Sequence, residues 1–279
     1  MTWSIVADSS CDLRASDVVS EKTRFEVVPL KIIIGEDEFV DDGTLSIPQL
    51  LRDMDECKAG SSTACPSPDD FARAFAQTDC SVCITISGQL SGTYNSALMG
   101  RDMVLEEHPD KKICVIDSKG AAGMLTLLVN RAQQLIEEDR SFEEVSRSME
   151  EYQSSLRMVF TLSNFGNLIK AGRMNPFIGS VLTSLGIHVL ADATREGTIH
   201  VAGKARGETK TLKGILRMMA EAKDLTGKPV YINHCENLAG AMRLKQMMLA
   251  ELPVGSVTLL GCKGLCSYYA MEKGLLVSF

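Results

Sequence analysis

The sequence predicts two α/β domains, the first on a largely parallel sheet over residues 1–155 and the second on a mixed sheet over residues 156–279. Three observations carry this. A chain of 279 residues suits two domains of ordinary size. Short apolar runs alternate with amphipathic ones, the pattern of strands interleaved with helices. Near residue 155 the texture changes, and six apolar runs follow with longer helical stretches between them.

In the first part, strands are expected at 3–7, 25–30, 82–86 and 113–116, with a hairpin arm over 31–40. Helices are expected near 48–57, 68–77, 94–107 and 121–138. Ser67-Pro68-Asp69-Asp70 supplies an N-cap, a first-turn proline and two acids ahead of Phe71. Ser141-Phe142-Glu143-Glu144 is a capping box that opens a helix to about residue 155. In the second part, strands at 157–162, 188–191, 199–204, 230–233, 257–260 and 275–279 are separated by helices near 176–185, 209–223 and 239–250.

Composition narrows the function. Hydrophobic residues make up 45%, enough for a sizeable core. The net charge is −7, from 29 basic and 36 acidic residues with no basic run, which leaves no footprint for nucleic acid or an anionic membrane surface. An anionic ligand must then be held by local geometry. No apolar run approaches the ~20 residues of a membrane helix, so an integral membrane protein is not expected. Met1-Thr2-Trp3-Ser4-Ile5-Val6-Ala7 leads straight to Asp8 and reads as a first strand, not a secretory leader, which predicts a cytoplasmic protein. The nine cysteines are then reduced thiols filling core positions. Cys80 and Cys83 form a CxxC, but Cys83 sits in a strand-like run and no second pair stands at ligand spacing, so no metal is expected.

The chemistry lies where strands run out. Asp8-Ser9-Ser10-Cys11-Asp12-Leu13 follows the first strand, at the carboxyl end where open α/β sheets gather ligands. Turn and capping chemistry is the alternative reading of the same residues. Ser87-Gly88-Gln89-Leu90-Ser91-Gly92-Thr93 joins a strand to a helix through hydroxyls and glycines. Glycine lets the backbone approach a ligand, and free N–H groups at a helix start favour an anion. The spacing is neither a nucleotide P-loop nor a G-x-S-x-G elbow. Ser61-Ser62-Thr63-Ala64-Cys65-Pro66-Ser67-Pro68 is expected as a second polar loop, and Asp117-Ser118 ends another strand.

Taken in order, these motifs resemble the DegV family of bacterial fatty-acid-binding proteins. The resemblance rests on Asp8-Ser9-Ser10-x-Asp12-Leu13, Val28-Pro29-Leu30, Thr63-x-x-Pro66-Ser67-Pro68 and Leu90-Ser91-Gly92-Thr93-Tyr94-x-Ser96-Ala97. Val115-Ile116-Asp117-Ser118 and Ala171-Gly172-Arg173 complete it, so it spans nearly the whole chain. It implies a long-chain fatty acid bound between the two domains, with no cofactor and no independent turnover. The carboxylate would lie on Thr63 and Ser91, with Gly92, Thr93, Ser10 and Ser118 contributing to the ligand site. The protein would present the lipid to a separate fatty acid kinase, feeding phospholipid synthesis, with Arg173 and Tyr269 acting in phosphoryl transfer or partner contact.

Two further readings complete the site. Phe177, Ile178, Val181, Leu182 and Leu185 lie in an apolar stretch opened by Pro176 that suits the acyl chain, or equally a buried helix. The family's C-terminal Gly-x-His-x-Gly-Pro-Gly-like segment is replaced by Gly261-Cys262-Lys263-Gly264-Leu265-Cys266-Ser267-Tyr268-Tyr269, and Tyr269 takes the histidine's place. The competing function is an acyl hydrolase or acyltransferase with Ser91 as nucleophile and His234 as base. A histidine after a strand is more often a loop-end hydrogen-bonder, and His108, His188 and His200 form no ligand spacing. The helix-borne Met218, Met219, Met242, Met247 and Met248 read as core filler.

Overall fold

The computed structural model describes residues 1–174 and 187–279. The elements run β1 (Trp3–Asp8), β2 (Thr23–Val28), β3 (Lys31–Ile34), β4 (Asp37–Val40), α1 (Ile47–Glu56), β5 (Ser61–Ala64), α2 (Pro68–Phe75), β6 (Cys80–Thr85), α3 (Thr93–Glu107), β7 (Lys112–Asp117), α4 (Gly123–Glu137) and α5 (Phe142–Ser155). There follow β8 (Met158–Leu162), α6 (Gly166–Lys170), β9 (Ile187–Ala193), β10 (Ile199–Arg206), α7 (Glu208–Ala222), β11 (Pro229–His234), α8 (Leu238–Glu251), β12 (Ser256–Gly261), α9 (Gly264–Ala270) and β13 (Leu275–Ser278).

The first sheet has the order β2-β1-β6-β7 and every pairing is parallel. All six residues of β6 are buried, as a central strand covered on both faces requires. The second sheet has the order β10-β9-β8-β13-β11-β12 and is mixed: only β11 and β12 run parallel. Both capping boxes close. Ser67 Oγ accepts from Asp70 N at 3.3 Å while Asp70 returns a carboxylate to Ser67 N at 2.8 Å, and Ser141 and Glu144 repeat the pattern.

The two sheets share a core. Ile5, Ala7, Val82 and Ile84 of the first sheet pack in one cluster with Leu125 and Leu128 of α4 and with Phe160 and Leu276 of the second sheet. The opposite face of the second sheet builds a separate cluster from Val159, Val230, Ile232, Leu216 and Leu244. α4 reaches across both sheets because Gly123 has no side chain: a Cβ there would lie 2.8 Å from Tyr231 Cβ.

Four points need correction or comment. Residues 61–64 are not loop but strand β5, which pairs antiparallel with β3 in a three-stranded sheet β4-β3-β5. Its composition is polar, yet β3 offers an unpaired edge whose ladder outweighs propensity. Residues 264–270, to which the sequence assigns no element, form α9. The helix expected at 176–185, with Phe177, Ile178, Val181, Leu182 and Leu185, lies outside the described residues. The CxxC is divided by the pleat: Cys80 and Cys83, three apart on β6, point to opposite faces. Among the described residues no helix is long and apolar enough to cross a membrane.

Candidate functional site

The carboxyl ends of β1, β6 and β7 meet in a crevice organised by Asp8. Its Oδ2 accepts from Ile86 N at 2.6 Å, joining the ends of β1 and β6, and its Oδ1 accepts from Ser10 N at 2.9 Å and Ser10 Oγ at 2.5 Å. Burial pushes the Asp8 carboxyl up to about 6, against the lowering pull of those donors. Asp117, at the end of β7, holds Gly88 N at 3.2 Å and so fixes the start of the loop to Ser91.

Between this crevice and the second sheet lies a cavity enclosing about 810 Å³, part of it open to solvent. Leu30, Ile86, Leu90, Gly120 and Ala121 form its wall on the side of the first sheet. Met158, Phe160 and Leu162 of β8, Leu168, Ala193, Ile199, Leu276 and the α9 residues Leu265, Cys266 and Ala270 form the other. Met158, Phe160 and Leu162 alternate along β8, so one face of a wholly buried strand turns to the cavity while Val159 serves the second core.

The polar members of the lining are few: Thr63, Ser91, Arg173, Thr198 and the phenol of Tyr269. Thr63 on β5 and Tyr269 on α9 share a hydrogen bond at 2.9 Å between Oγ1 and the phenolic oxygen. One register step away, Ser61 Oγ donates to the Tyr268 hydroxyl at 3.1 Å, and the two tyrosine rings meet edge to face at 4.8 Å. α9 is therefore stapled to β5 by two hydroxyl pairs. Its N-terminus is held by Asp41, which accepts from Gly264 N at 2.8 Å and Leu265 N at 2.9 Å. Asp12 adds Lys263 N at 2.7 Å and the Asn233 amide at 2.7 Å, and burial pushes its carboxyl up to about 7. Burial also raises Asp41.

Ser91 Oγ lies 2.8 Å from Thr93 Oγ1 and accepts from Thr93 N at 3.3 Å. Arg173 follows α6 and donates Nε to the carbonyl of Leu90 at 2.8 Å and Nη1 to that of Ala171 at 2.5 Å. It stands exposed at the rim, one residue from Ser91.

The cavity thus brings together Thr63, Ser91, Arg173 and Tyr269 out of the residues singled out from sequence. Thr93 is buried behind Ser91, Gly92 is the N-cap of α3, and neither lines the cavity. Ser10 and Ser118 are also fully buried and turned away from it: Ser10 serves Asp8, and Ser118 Oγ donates to Gly120 O at 3.0 Å, shaping the turn that brings Gly120 and Ala121 to the wall. His234 is not brought to Ser91. It ends β11 beside Gly261 of β12, its Nδ1 buried with no partner among the described residues, and burial pulls its imidazole below the ordinary range. Sequence reasoning missed β8, the β9–β10 hairpin and Leu276 as walls; the i, i+2, i+4 spacing of Met158, Phe160 and Leu162 was the available signal.

The family model described as "Uncharacterised protein, DegV family" matches residues 2–272. A DegV domain-containing protein of Streptococcus gordonii is 38% identical over 279 residues, covering 100% of this chain and 99% of the relative. Among solved structures, the Streptococcus pneumoniae fatty acid kinase (Fak) B3 protein loaded with linoleic acid superposes with a TM-score of 0.96 at 38% identity, covering 100% of this chain and 99% of that one. A DegV family protein from Eubacterium eligens loaded with heptadecanoic acid gives a TM-score of 0.93 at 36% identity, covering 99% of each chain.

Proposed function

The chain belongs to the DegV family, and from that premise we propose that it binds one long-chain fatty acid in the cavity between its two sheets and presents it to a separate fatty acid kinase. The observation that carries this is the composition of the cavity: apolar walls from both sheets, with the hydroxyls of Thr63, Ser91 and Tyr269 among its few polar groups. A carboxylate taken out of water is costly unless donors meet it, and hydroxyl groups are such donors. The acyl chain lies against Met158, Phe160, Ile199 and Leu276, and the carboxylate rests on Thr63 and Ser91. Thr93 and Tyr269 orient those two hydroxyls, and Ser10, Gly92 and Ser118 shape the loops behind them.

Arg173 acts at the rim in the encounter with the kinase, its guanidinium already committed to the Leu90 carbonyl. The protein performs no turnover alone; the kinase supplies the phosphoryl group and the acyl phosphate passes to phospholipid synthesis in the cytoplasm. The two domains divide near residue 155, between α5 and β8. Mass spectrometry of the intact protein under native conditions tests the reading. One fatty acid per chain is the expected result, and a clean unliganded mass together with no uptake of added fatty acid refutes it.

A further inference from the structure

Behind the wall formed by Met158 and Ala193 lies a second cleft, of about 470 Å³, that shares those two residues with the apolar cavity. Its chemistry is the opposite. Three cations reach it from three separate elements: Lys119 from the β7–α4 connection, Arg157 from the α5–β8 junction and Arg195 from the tip of the β9–β10 hairpin. The chain carries a net charge of −7, yet among the described residues no carboxylate lies within 4.0 Å of Arg157 or Arg195. Lys119 is the paired member, its Nζ 2.8 Å from Asp117 Oδ2.

The hydrogen bonds leave the same opening. Arg157 donates only through Nη1, to the carbonyls of Ser154 at 2.9 Å and Leu156 at 2.5 Å, which caps the end of α5. Its Nε and Nη2 have no acceptor among the described residues, and Arg195 donates to none. Burial, and after it the charge of Arg195, pulls the Arg157 guanidinium below its ordinary range. Hydrogen bonds from its own backbone and from Thr194, and after them the charges of Arg195 and Lys119, lower the Glu196 carboxyl, but it forms no ion pair with either cation and does not line the cleft. Two guanidinium groups held near each other without an acid between them repel, and a bound anion relieves that repulsion.

We propose that this cleft binds a phosphate-class oxyanion between Arg157 and Arg195, with Lys119 at its edge. Planar guanidinium groups match tetrahedral oxyanions through paired N–H donors. Such an anion ties the hairpin tip to the α5–β8 junction, and both flank the wall shared with the apolar cavity. Ser87 Oγ already donates to Gly197 O at 2.7 Å in the same turn, so the anion adds a second fastening to one hairpin. Occupancy of the cleft then slows the loss of lipid; this coupling, unlike the anion site itself, rests on the lipid reading above.

The test is calorimetric titration of the full chain as purified, at constant ionic strength maintained with sodium chloride. One arm uses inorganic phosphate, and the other uses phosphatidylcholine vesicles with and without phosphatidic acid. Saturable binding is expected in at least one arm, and the responding arm identifies a free phosphate or a lipid headgroup as its source. Affinity should fall about tenfold in Arg157→Gln and in Arg195→Gln, the loss of charge-assisted hydrogen bonds. Arg157→Gln also removes a helix cap, whereas Arg195 is exposed and makes no hydrogen bond or ion pair among the described residues, so Arg195→Gln reads the site without a folding defect. No response beyond chloride in both arms, or unchanged affinity in Arg195→Gln, overturns the proposal. Native mass spectrometry of the same samples reports bound fatty acid separately, so failure of the anion site is distinguished from failure of the lipid reading.

Discussion

Gly197 is the position where one methyl group should do the most damage. It lies at the tip of the β9–β10 hairpin with φ +91, and a Cβ there would stand 2.3 Å from Ser87 Oγ and 3.1 Å from Lys119 Cα. For Gly197→Ala the left-handed backbone costs about 1–2 kcal/mol. Relieving the overlap costs about 1–3 kcal/mol more. A turn that moves away gives up the 2.7 Å bond from Ser87, about 1 kcal/mol. The sum is about 3–6 kcal/mol, and detachment of the hairpin tip is a cheaper escape than global unfolding. Because Ala193, Thr198 and Ile199 line the cavity from this hairpin, the variant should release bound fatty acid faster. Displacement of a fluorescent fatty acid measures that rate, and urea unfolding measures stability. Ser87→Ala removes that 2.7 Å hydrogen bond and the one Ser87 Oγ accepts from Gln89 N at 3.2 Å, and should cost about 1–2 kcal/mol. In the double variant the worst overlap disappears, so the two effects should combine to less than their sum. Additive effects, or a Gly197→Ala protein within about 0.5 kcal/mol of the parent and with unchanged lipid release, would refute this account of the turn.

Three other outcomes are expected. Tyr269→Phe and Thr63→Val should each weaken fatty acid affinity by about 1 kcal/mol, and the double variant should lose less than the sum because the two hydroxyls share one bond; independent losses in a binding titration would separate them. Arg173→Ala should keep most lipid affinity and lose acyl-phosphate formation with a cognate kinase, since its guanidinium is held by the Leu90 carbonyl; parallel loss of both activities would move it into the lipid site. Asp12 titrates near 7 when folded against about 4 when unfolded, so the folded state binds the extra proton and the associated stability, present at low pH, is lost as pH rises from about 4 through 7. Asp12→Asn should remove up to about 1.4 kcal/mol per pH unit of that slope, read as the difference between parent and variant in urea midpoints at pH 5 and pH 7.5; parallel curves would contradict it. Asn233, whose Oδ1 has no partner among the described residues, can turn its amide to accept from the new side chain.

What was legible in the sequence was whatever is decided locally. Ser67 and Ser141 announce their helices because each capping box closes within four residues. The parallel strands β1 and β6 show as apolar runs because both of their faces are covered. β5 was hidden because three of its four residues are polar and its strand state comes from β3, some thirty positions away. α9 was hidden for a related reason. It is only seven residues long, begins after Lys263 with no side-chain cap of its own, and takes its N-terminal acceptor from Asp41, more than 200 positions earlier. The candidate site divides the same way. Thr63, Ser91 and Arg173 could be picked out by motif, whereas the inward turn of Ser10 and Ser118 depends on Asp8 and Gly120 and cannot be read from a run of hydroxyl residues.

On the reading proposed above, the paired hydroxyls explain how a carboxylate is held without a dedicated counter-charge. Thr63 with Tyr269, and Ser91 with Thr93, each form a pair in which either oxygen can donate. A carboxylate offers only acceptors, so it selects one direction in both pairs. Tyr269 donates to Thr63 and Thr93 to Ser91, which frees the protons of Thr63 and Ser91 for the ligand. Each donor is polarised by the bond behind it and held in place before the ligand arrives. Two neutral donors do not repay the whole cost of desolvating a charge. The apolar wall offsets it, at roughly 0.8 kcal/mol for every methylene buried. Affinity is then set by the tail and orientation by the head. Because no formal ion pair neutralises the carboxylate, its oxygens keep the electron density that an attack on a phosphoryl group requires. Arg173, held to Leu90 at the rim, is placed to meet the charge of the incoming group instead of cancelling that of the lipid.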